Sequence, residues 1–298
     1  MAENLYIRIG SQAQDAIHWL IHSASDEEII ASGKLSNASE LVQLSEKAQQ
    51  RQVIVLVPSC DLVLKSLNVP SKSVRAMHQA VPYMLEEELA QDVEQMFFAY
   101  GDVSNQDQEA STHQNCFVAA IDRTLMQQWQ QWFADANINF KKMLPDALAM
   151  PLVNDGCSAI VLDQQVILRQ GPWQAMTIDS QAWAVISSQL INTADDKNKE
   201  LADTNEGSPF LINAYSTLPS GANELNIKAM PEELPLALLA QQAIIQPFNL
   251  LQGEFQYHEK RSPVVANWLW AAGIAIFALL FNVGLKGGQL LQVNSQLE

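Results

Sequence analysis

The sequence is poor in basic residues and in cysteine. Its 298 residues carry 17 Lys and Arg against 33 Asp and Glu, which gives a formal net charge of −16 at pH 7. Because a phosphate-binding surface needs clustered positive charge and the sequence has no basic patch, we exclude a nucleic-acid-binding protein. The three cysteines (Cys60, Cys116 and Cys157) lie far apart without a C-x-x-C pair. They predict neither a disulfide framework nor a zinc site, and they are typical of a reducing compartment.

Motifs of the common enzyme classes are also missing. The sequence contains no G-x-S-x-G, no G-x-x-x-x-G-K-[ST], no H-E-x-x-H and no G-x-G-x-x-G, so the corresponding hydrolase, nucleotide and zinc sites have no support. His18 and His22 are four residues apart, but we predict a strand there, on which this spacing does not form a metal-binding face. We therefore expect no catalytic residue, no metal, no cofactor and no enzyme activity.

One long uncharged run lies near the C-terminus, with the sequence VVANWLWAAGIAIFALLFNVGL (264–285). As a helix it would span about 33 Å, enough for a hydrocarbon core of about 30 Å, and it predicts one transmembrane helix. Lys260 and Arg261 precede the run, while Trp268 and Trp270 lie at its first end. We expect these four residues to be membrane-interface anchors.

Two observations predict that the residues before this span are cytoplasmic. The flank before the span has two basic residues and the flank after it has one, Lys286, which agrees with the positive-inside rule. The first twelve residues carry Glu3 and alternate apolar with polar residues, unlike a secretory signal peptide. Residues 286–298 are too few to fold alone, so we expect either a longer natural chain or a tail that docks on a partner.

The predicted elements follow the same order in two parts of the chain. Residues 1–70 predict three strands, a helix and the apolar strand VIVLV (53–57), followed by a further strand over 62–69. In residues 144–255 the order returns, with a hairpin, a third strand, a helix over 181–191 and another apolar strand. We predict an α/β cytoplasmic region with a duplicated RNase H-like fold, as in the actin-like ATPase superfamily.

A third unit, residues 71–143, is predicted to be a small α+β module inserted between the two copies. It begins with a helical pattern that Pro82 interrupts, where we expect a kink or the start of a second helix. Asp122 is the predicted cap of a later helix, and a strand over 138–142 is expected to close the module.

The densest acidic run of the chain lies in this module and consists of Glu86, Glu87, Glu88, Asp92 and Glu94. A charge run of this kind is most often a solvated helix face. The alternative is a docking surface for a patch of Arg and Lys on a protein partner.

The duplicated order raises the question of an actin-type ATPase. Such enzymes place an Asp followed by Gly at the first strand of each half, because the carboxylate addresses Mg²⁺ and the glycine lets phosphate approach the backbone. The first half has Arg8 in this region, and the second half has Asp163 followed by two glutamines. We therefore do not expect phosphoryl transfer, and we predict that the fold serves as a scaffold.

Three stretches of the sequence are VPYMLEEELAQDVEQMFFAY (81–100), KKMLPDALAMP (141–151) and FNLLQGEF (248–255). In this combination the chain resembles, over essentially its whole length, the L protein family of the bacterial type II secretion system. The resemblance implies an actin-like cytoplasmic region with an inserted module, one inner-membrane helix over 264–285 and a periplasmic domain. Only the start of that domain, residues 286–298, is expected in this sequence.

The resemblance also implies a role without catalysis. Proteins of this family hold the secretion ATPase, the E protein, at the inner membrane and pair with the M protein in the membrane and periplasm. We thus expect a scaffold that couples the ATPase to the pseudopilus machinery for protein export. The span is expected to pack either with a copy of itself, as a homodimer, or with a partner. No catalytic residue is carried over from the family, and on charge grounds alone we nominate the acidic run as the ATPase docking site.

Three other functions stay open. An actin-like adaptor of a type IV pilus or cell-division assembly shares the fold, but such adaptors typically reach the membrane through a partner or an amphipathic helix. A nucleotide-binding, kinase-like enzyme of the same superfamily would need the Asp-Gly pairs that are missing here. A purely structural membrane protein would have no ATPase partner.

Overall fold

The computed structural model describes seven stretches of the chain. They are residues 3–23, 28–69, 73–101, 114–153, 156–190, 211–220 and 226–257. Residues 1–256 form one compact unit, and of the second unit, residues 257–298, the described stretches include only Tyr257. The predicted membrane span and its four anchors lie outside the described residues. Within those residues, no helix is long and apolar enough to cross a membrane.

The described residues contain thirteen strands. They are β1 (Glu3–Arg8), β2 (Ile17–Ser23), β3 (Ile29–Leu35), β4 (Gln52–Val57), β5 (Leu62–Val69), β6 (Met96–Tyr100), β7 (Gln114–Asp122), β8 (Lys142–Pro145), β9 (Gly156–Leu162), β10 (Gln165–Arg169), β11 (Ala175–Asp179), β12 (Leu211–Ala214) and β13 (Asn226–Ala229). The helices of the described part are α1 (Ser45–Ala48), α2 (Val74–Leu85), α3 (Arg123–Asp135), α4 (183–190) and α5 (Pro235–Ile245). Short 3-10 helices connect several of these elements.

Two five-stranded sheets have the same internal order. The first is β3-β2-β1-β4-β8 and the second is β11-β10-β9-β12-β13. In each sheet the first three strands pair antiparallel and the last two join in parallel. The duplication that the sequence predicts is thus present as a repeated strand order in a mixed α/β fold.

A third sheet, β5-β7-β6, is antiparallel throughout. Helix α2 packs on it through Met77, Val81 and Leu85, which contact Cys116 and Val118 of β7 in one buried cluster. This sheet and helix form the body of the α+β module that the sequence places between the two copies.

Two strands belong to other sheets than the sequence suggests. Strand β5, grouped above with residues 1–70, pairs with β7 over eight residues and so lies in the three-stranded sheet. The strand expected over 138–142 is instead β8 (Lys142–Pro145), and it pairs in parallel with β4 of the first five-stranded sheet. Both strands are apolar enough for either position, so local pattern does not determine their partners. The domain boundaries themselves stay predictions.

Pro82 does not start a second helix, because α2 runs continuously through it. A proline lacks the N–H that would bond the carbonyl four residues earlier, here that of His78. The Tyr100 hydroxyl donates to this carbonyl at 3.2 Å, and the rings of Tyr100 and His78 stack with their centroids 3.7 Å apart. A side chain from β6 therefore replaces the missing helical hydrogen bond.

A large buried cluster lies between the two five-stranded sheets. It joins Tyr6 and Ile54 of the first sheet to Ile160 and Ile167 of the second, and α5 contributes a nearly continuous set of apolar side chains. Helix α5 has few polar residues on any face, as expected of a helix buried between two layers. The two halves consequently share one core.

Candidate functional site

The polar site at which the two halves meet is built around a buried ion pair. Arg8, at the end of β1, and Asp146, directly after β8, have side chains that are 4% and 0% exposed. The Nε and Nη2 atoms of Arg8 donate to Oδ2 of Asp146 at 3.2 and 3.0 Å. Two charges can be buried in this way only when they are paired and further hydrogen-bonded.

Those further hydrogen bonds come from both halves of the protein. The Oδ1 atom of Asp146 accepts from the Ser59 N–H at 2.9 Å, from the Ser59 hydroxyl at 2.8 Å and from the Thr177 hydroxyl at 2.7 Å. Thr177 lies on β11 of the second sheet, and Arg8 also donates to the side chain of Gln165 on β10. The network therefore fastens the two sheets to each other.

This geometry bears directly on phosphoryl transfer. An actin-type site needs a carboxylate with free lone pairs that can hold Mg²⁺. In this protein a guanidinium occupies the end of the first strand, and the nearest buried carboxylate, Asp146, already accepts five hydrogen bonds. Among the described residues, no group of three or more His, Cys, Asp or Glu side chains could hold a metal ion.

The glycine after the first strand has a packing role. A Cβ atom at Gly10 would overlap the side chain of Asp15, whose carboxylate accepts a hydrogen bond from the Gln12 N–H at 2.9 Å. The space in which a phosphate could approach the backbone is thus filled by a carboxylate. Gly10 and Asp15 line one side of a polar cavity of about 620 Å³ beside the ion pair, and Asp163 and Asp179 line it too.

Asp163, the carboxylate that the sequence singles out in the second half, bridges to the first half. It lies in the turn between β9 and β10 with φ of +53°, a conformation that Asp tolerates in tight hairpin turns. Its carboxylate contacts His18 Nε2 at 2.8 Å and Lys34 Nζ at 2.6 Å. Partial burial raises the pKa of Asp163, but these two partners outweigh that effect and the pKa is lowered.

His18 gives the unfolding free energy a pH dependence. Burial of the ring lowers the pKa of His18 below 6.5, and the contact with Asp163 does not offset this. Just below pH 6.5 the unfolded state therefore binds more protons than the folded state, so the free energy of unfolding falls as the pH is lowered through this window.

Replacing His18 with Gln is expected to reduce that pH dependence. The measurement is the urea midpoint at pH 7 and pH 5.5 for the wild type, for His18→Gln and for the control His22→Gln, a change on the same strand. We expect the urea midpoint to change less between pH 7 and pH 5.5 in His18→Gln than in the wild type or in His22→Gln. A variant that keeps the full wild-type difference would show that another group is responsible.

The acidic run begins at the C-terminal end of α2, in the α+β module. Glu86–Glu88 form a 3-10 helix directly after α2, and all five carboxylates of the run are exposed. Glu88 forms an ion pair with Lys65 of β5. Two apolar side chains beside the run are also exposed, Tyr83 at 73% and Met84 at 43%. The structure thus places charged and apolar groups on one accessible stretch of surface.

Sequence reasoning missed the partner that makes Arg8 structural. Asp146 is 138 residues away and is the one charged residue in the apolar stretch MLPDALAM. An acidic residue among apolar ones signals a buried, paired carboxylate. That signal indicates burial but not the identity of the partner.

Residues 5–258 match the family model described as type II secretion system (T2SS), protein L. The type II secretion system protein L of Vibrio cholerae is 31% identical over 94% of this chain, and that of Klebsiella pneumoniae is 29% identical over 89%. The chain spans 64% of the length of the Vibrio protein and 59% of the Klebsiella protein.

Two solved structures have the same fold. The cytoplasmic domain of EpsL, an inner membrane component of the type II secretion system of Vibrio cholerae, is 30% identical with a TM-score of 0.71, covering 86% of this chain and all of that domain. The PilM-PilN type IV pilus biogenesis complex contains a chain that is 13% identical with a TM-score of 0.50, over 82% of this chain and 98% of that one. At that identity the second likeness concerns the fold alone.

Proposed function

Because this chain belongs to the type II secretion system protein L family, we propose that it is a non-catalytic inner-membrane scaffold that recruits the cytoplasmic secretion ATPase. The observation that carries the non-catalytic part is the buried pair of Arg8 and Asp146. It occupies the place of the carboxylate site on which an actin-type enzyme depends, and it fastens the two halves between which a nucleotide would bind. The described part of the chain thereby offers a rigid body for docking.

In this proposal the chain acts by tethering. Residues before the predicted span face the cytoplasm, and residues 264–285 anchor the chain in the inner membrane, with Lys260, Arg261, Trp268 and Trp270 at the interface. A tethered recruiter raises the effective concentration of the ATPase beside the pseudopilus machinery and needs no chemistry of its own. The M protein would pair with the membrane and periplasmic part, and the proposal includes a homodimer of the chain.

The ATPase docks, in this proposal, on the acidic run. Its carboxylates are exposed, and Tyr83 and Met84 provide apolar area beside them. Protein interfaces commonly combine an apolar centre with a charged rim, and charge complementarity raises the association rate and fixes the partner. The proposed partner surface is consequently basic with an apolar centre.

Reversing two charges of the run tests this site. The double variant Glu86→Lys with Glu87→Lys is expected to bind the N-terminal domain of the secretion ATPase about thirtyfold more weakly. Each rim charge contributes of the order of 0.5 kcal/mol, and reversing two of them replaces attraction with repulsion, a change of about 2 kcal/mol. Glu88 is left unchanged because it pairs with Lys65. Calorimetric titration gives the affinities.

The matched control is Glu232→Lys with Glu233→Lys, which changes the net charge equally at another exposed acidic pair. We expect this control to bind within about twofold of the wild type. Salt screens charges that lie far from the interface, so they contribute little to the affinity. Equal affinity of both double variants would remove the acidic run as the docking site. Circular dichroism verifies that both variants are folded.

A further inference from the structure

The stretch FNLLQGEF, which matches no enzyme motif, makes a dense set of long-range contacts. Asn249 accepts a hydrogen bond from the Met143 N–H at 3.0 Å and donates to the Lys141 carbonyl at 2.9 Å. The Leu250 N–H donates to the Met143 carbonyl at 2.8 Å. These bonds attach the stretch to the backbone at β8, in the first five-stranded sheet.

Gln252 then joins the same stretch to the three-stranded sheet. Its Nε2 atom donates to the Tyr100 carbonyl at 2.8 Å, and its Oε1 atom accepts from the Tyr100 N–H at 3.0 Å. Tyr100 ends β6, which is an edge strand. A single side-chain amide therefore pairs both outward-facing backbone groups of Tyr100, as a neighbouring strand would.

The residues after Gln252 extend the attachment to α3. Gly253 has φ of +53°, which turns the chain toward the module at a position where glycine carries no strain. Glu254 then pairs with Arg123, at the start of α3. The Phe255 ring packs edge-on against Phe97 of β6 with centroids 4.8 Å apart.

From these contacts we infer that residues 249–255 form a mechanical link, which we call the clasp. The clasp transmits force from the chain that leads to the predicted membrane span to β6, the strand that follows the acidic run. The inference rests on the proposed function in taking the span and the acidic run as the two points to be linked. Gln252 is the positioning residue of the clasp, because its side-chain amide pairs both backbone groups of Tyr100 at the edge of β6. Tension on the chain beyond residue 257 then reaches the module that holds the docking surface.

Hydrogen–deuterium exchange on the full chain in detergent micelles tests the clasp. In Gln252→Ala, the peptides that cover β6 (Met96–Tyr100) and residues 249–256 are both expected to exchange about tenfold faster, because the partly buried backbone groups of Tyr100 lose their partner and the edge opens. The matched control is Gln241→Ala, an exposed glutamine of α5 that contacts Glu233. It is expected to leave both regions at the wild-type rate.

A second variant keeps the test decisive if Gln252→Ala does not fold. Gln252→Glu preserves side-chain length and the acceptor for the Tyr100 N–H but cannot donate when ionised, so we expect an increase of about threefold in both regions. Faster exchange confined to residues 249–256, with β6 at its wild-type rate, would overturn the clasp. Since exchange is measured on the chain without the ATPase, a failure to bind that ATPase would contradict the proposed function alone.

Discussion

Replacing Asp146 with Ala is expected to lower the free energy of unfolding by about 3 to 5 kcal/mol, the usual loss when one partner of a buried ion pair is removed. The Arg8 guanidinium would stay buried without a counter-charge. The hydroxyls of Ser59 and Thr177 would lose their acceptor at the same time. Because these groups come from both halves, the variant would also loosen the contact between the two five-stranded sheets.

Urea denaturation followed by circular dichroism measures this loss. The control is Asp163→Asn, which removes the charge of a carboxylate that also bridges the halves but is 40% exposed, and which Asn can replace at φ of +53° without added strain. An ion pair in contact with water contributes about 1 kcal/mol or less, so the control is expected to stay close to the wild type. A loss below about 1 kcal/mol in Asp146→Ala would show that the buried network does not hold the halves together.

Arg169→Ala is the second change for which we expect a large effect, about 3 kcal/mol of unfolding free energy. Arg169 ends β10 and is almost fully buried, and its guanidinium donates to the carbonyls of Leu148 at 2.6 Å and Met150 at 2.8 Å. It also donates to the Gly171 carbonyl at 3.1 Å. Burial lowers the pKa of Arg169. The variant would remove this donor from the Met150 and Gly171 carbonyls, while the Leu148 carbonyl would keep the Gln246 side-chain amide at 3.1 Å, and each loss of a donor is costly.

The same denaturation experiment includes Arg51→Ala as its control. Arg51 pairs with Glu3 at 2.6 Å but is partly exposed, so we expect a change of about 1 kcal/mol or less. If Arg169→Ala unfolds no earlier than Arg51→Ala, water must satisfy the freed carbonyls.

Features determined by local interactions could be predicted from the sequence. Asp122 accepts from the Leu125 N–H at 3.0 Å, so the predicted cap of α3 is confirmed. The buried strand around residues 53–57 is β4, at an inner position of its sheet. Caps and apolar runs depend on a few neighbouring residues, which a single sequence contains.

Features determined by distant partners could not be predicted from the sequence. The helix through Pro82 depends on a hydroxyl from Tyr100, which sequence periodicity does not show. The sheets to which β5 and β8 belong depend on β7 and β4, and strand preference alone does not select among partners.

The same division applies to the site. Residue type alone shows that Arg8 and Asp163 lack the features of an actin-type pair. The role of Asp146 required the fold, because it meets Arg8 across 138 residues. The part played by Gln252 also required the fold, since its partner Tyr100 is 152 residues away.

Complex formation with the N-terminal domain of the secretion ATPase tests the central claim most directly. The full chain would be co-purified with that domain while the salt concentration is raised from about 50 to 500 mM, which shortens the screening length severalfold. The account predicts a stable complex that weakens as salt rises, because the acidic run contributes charge. The absence of a complex at every salt concentration, together with binding of Mg-ATP by the chain alone, would contradict it.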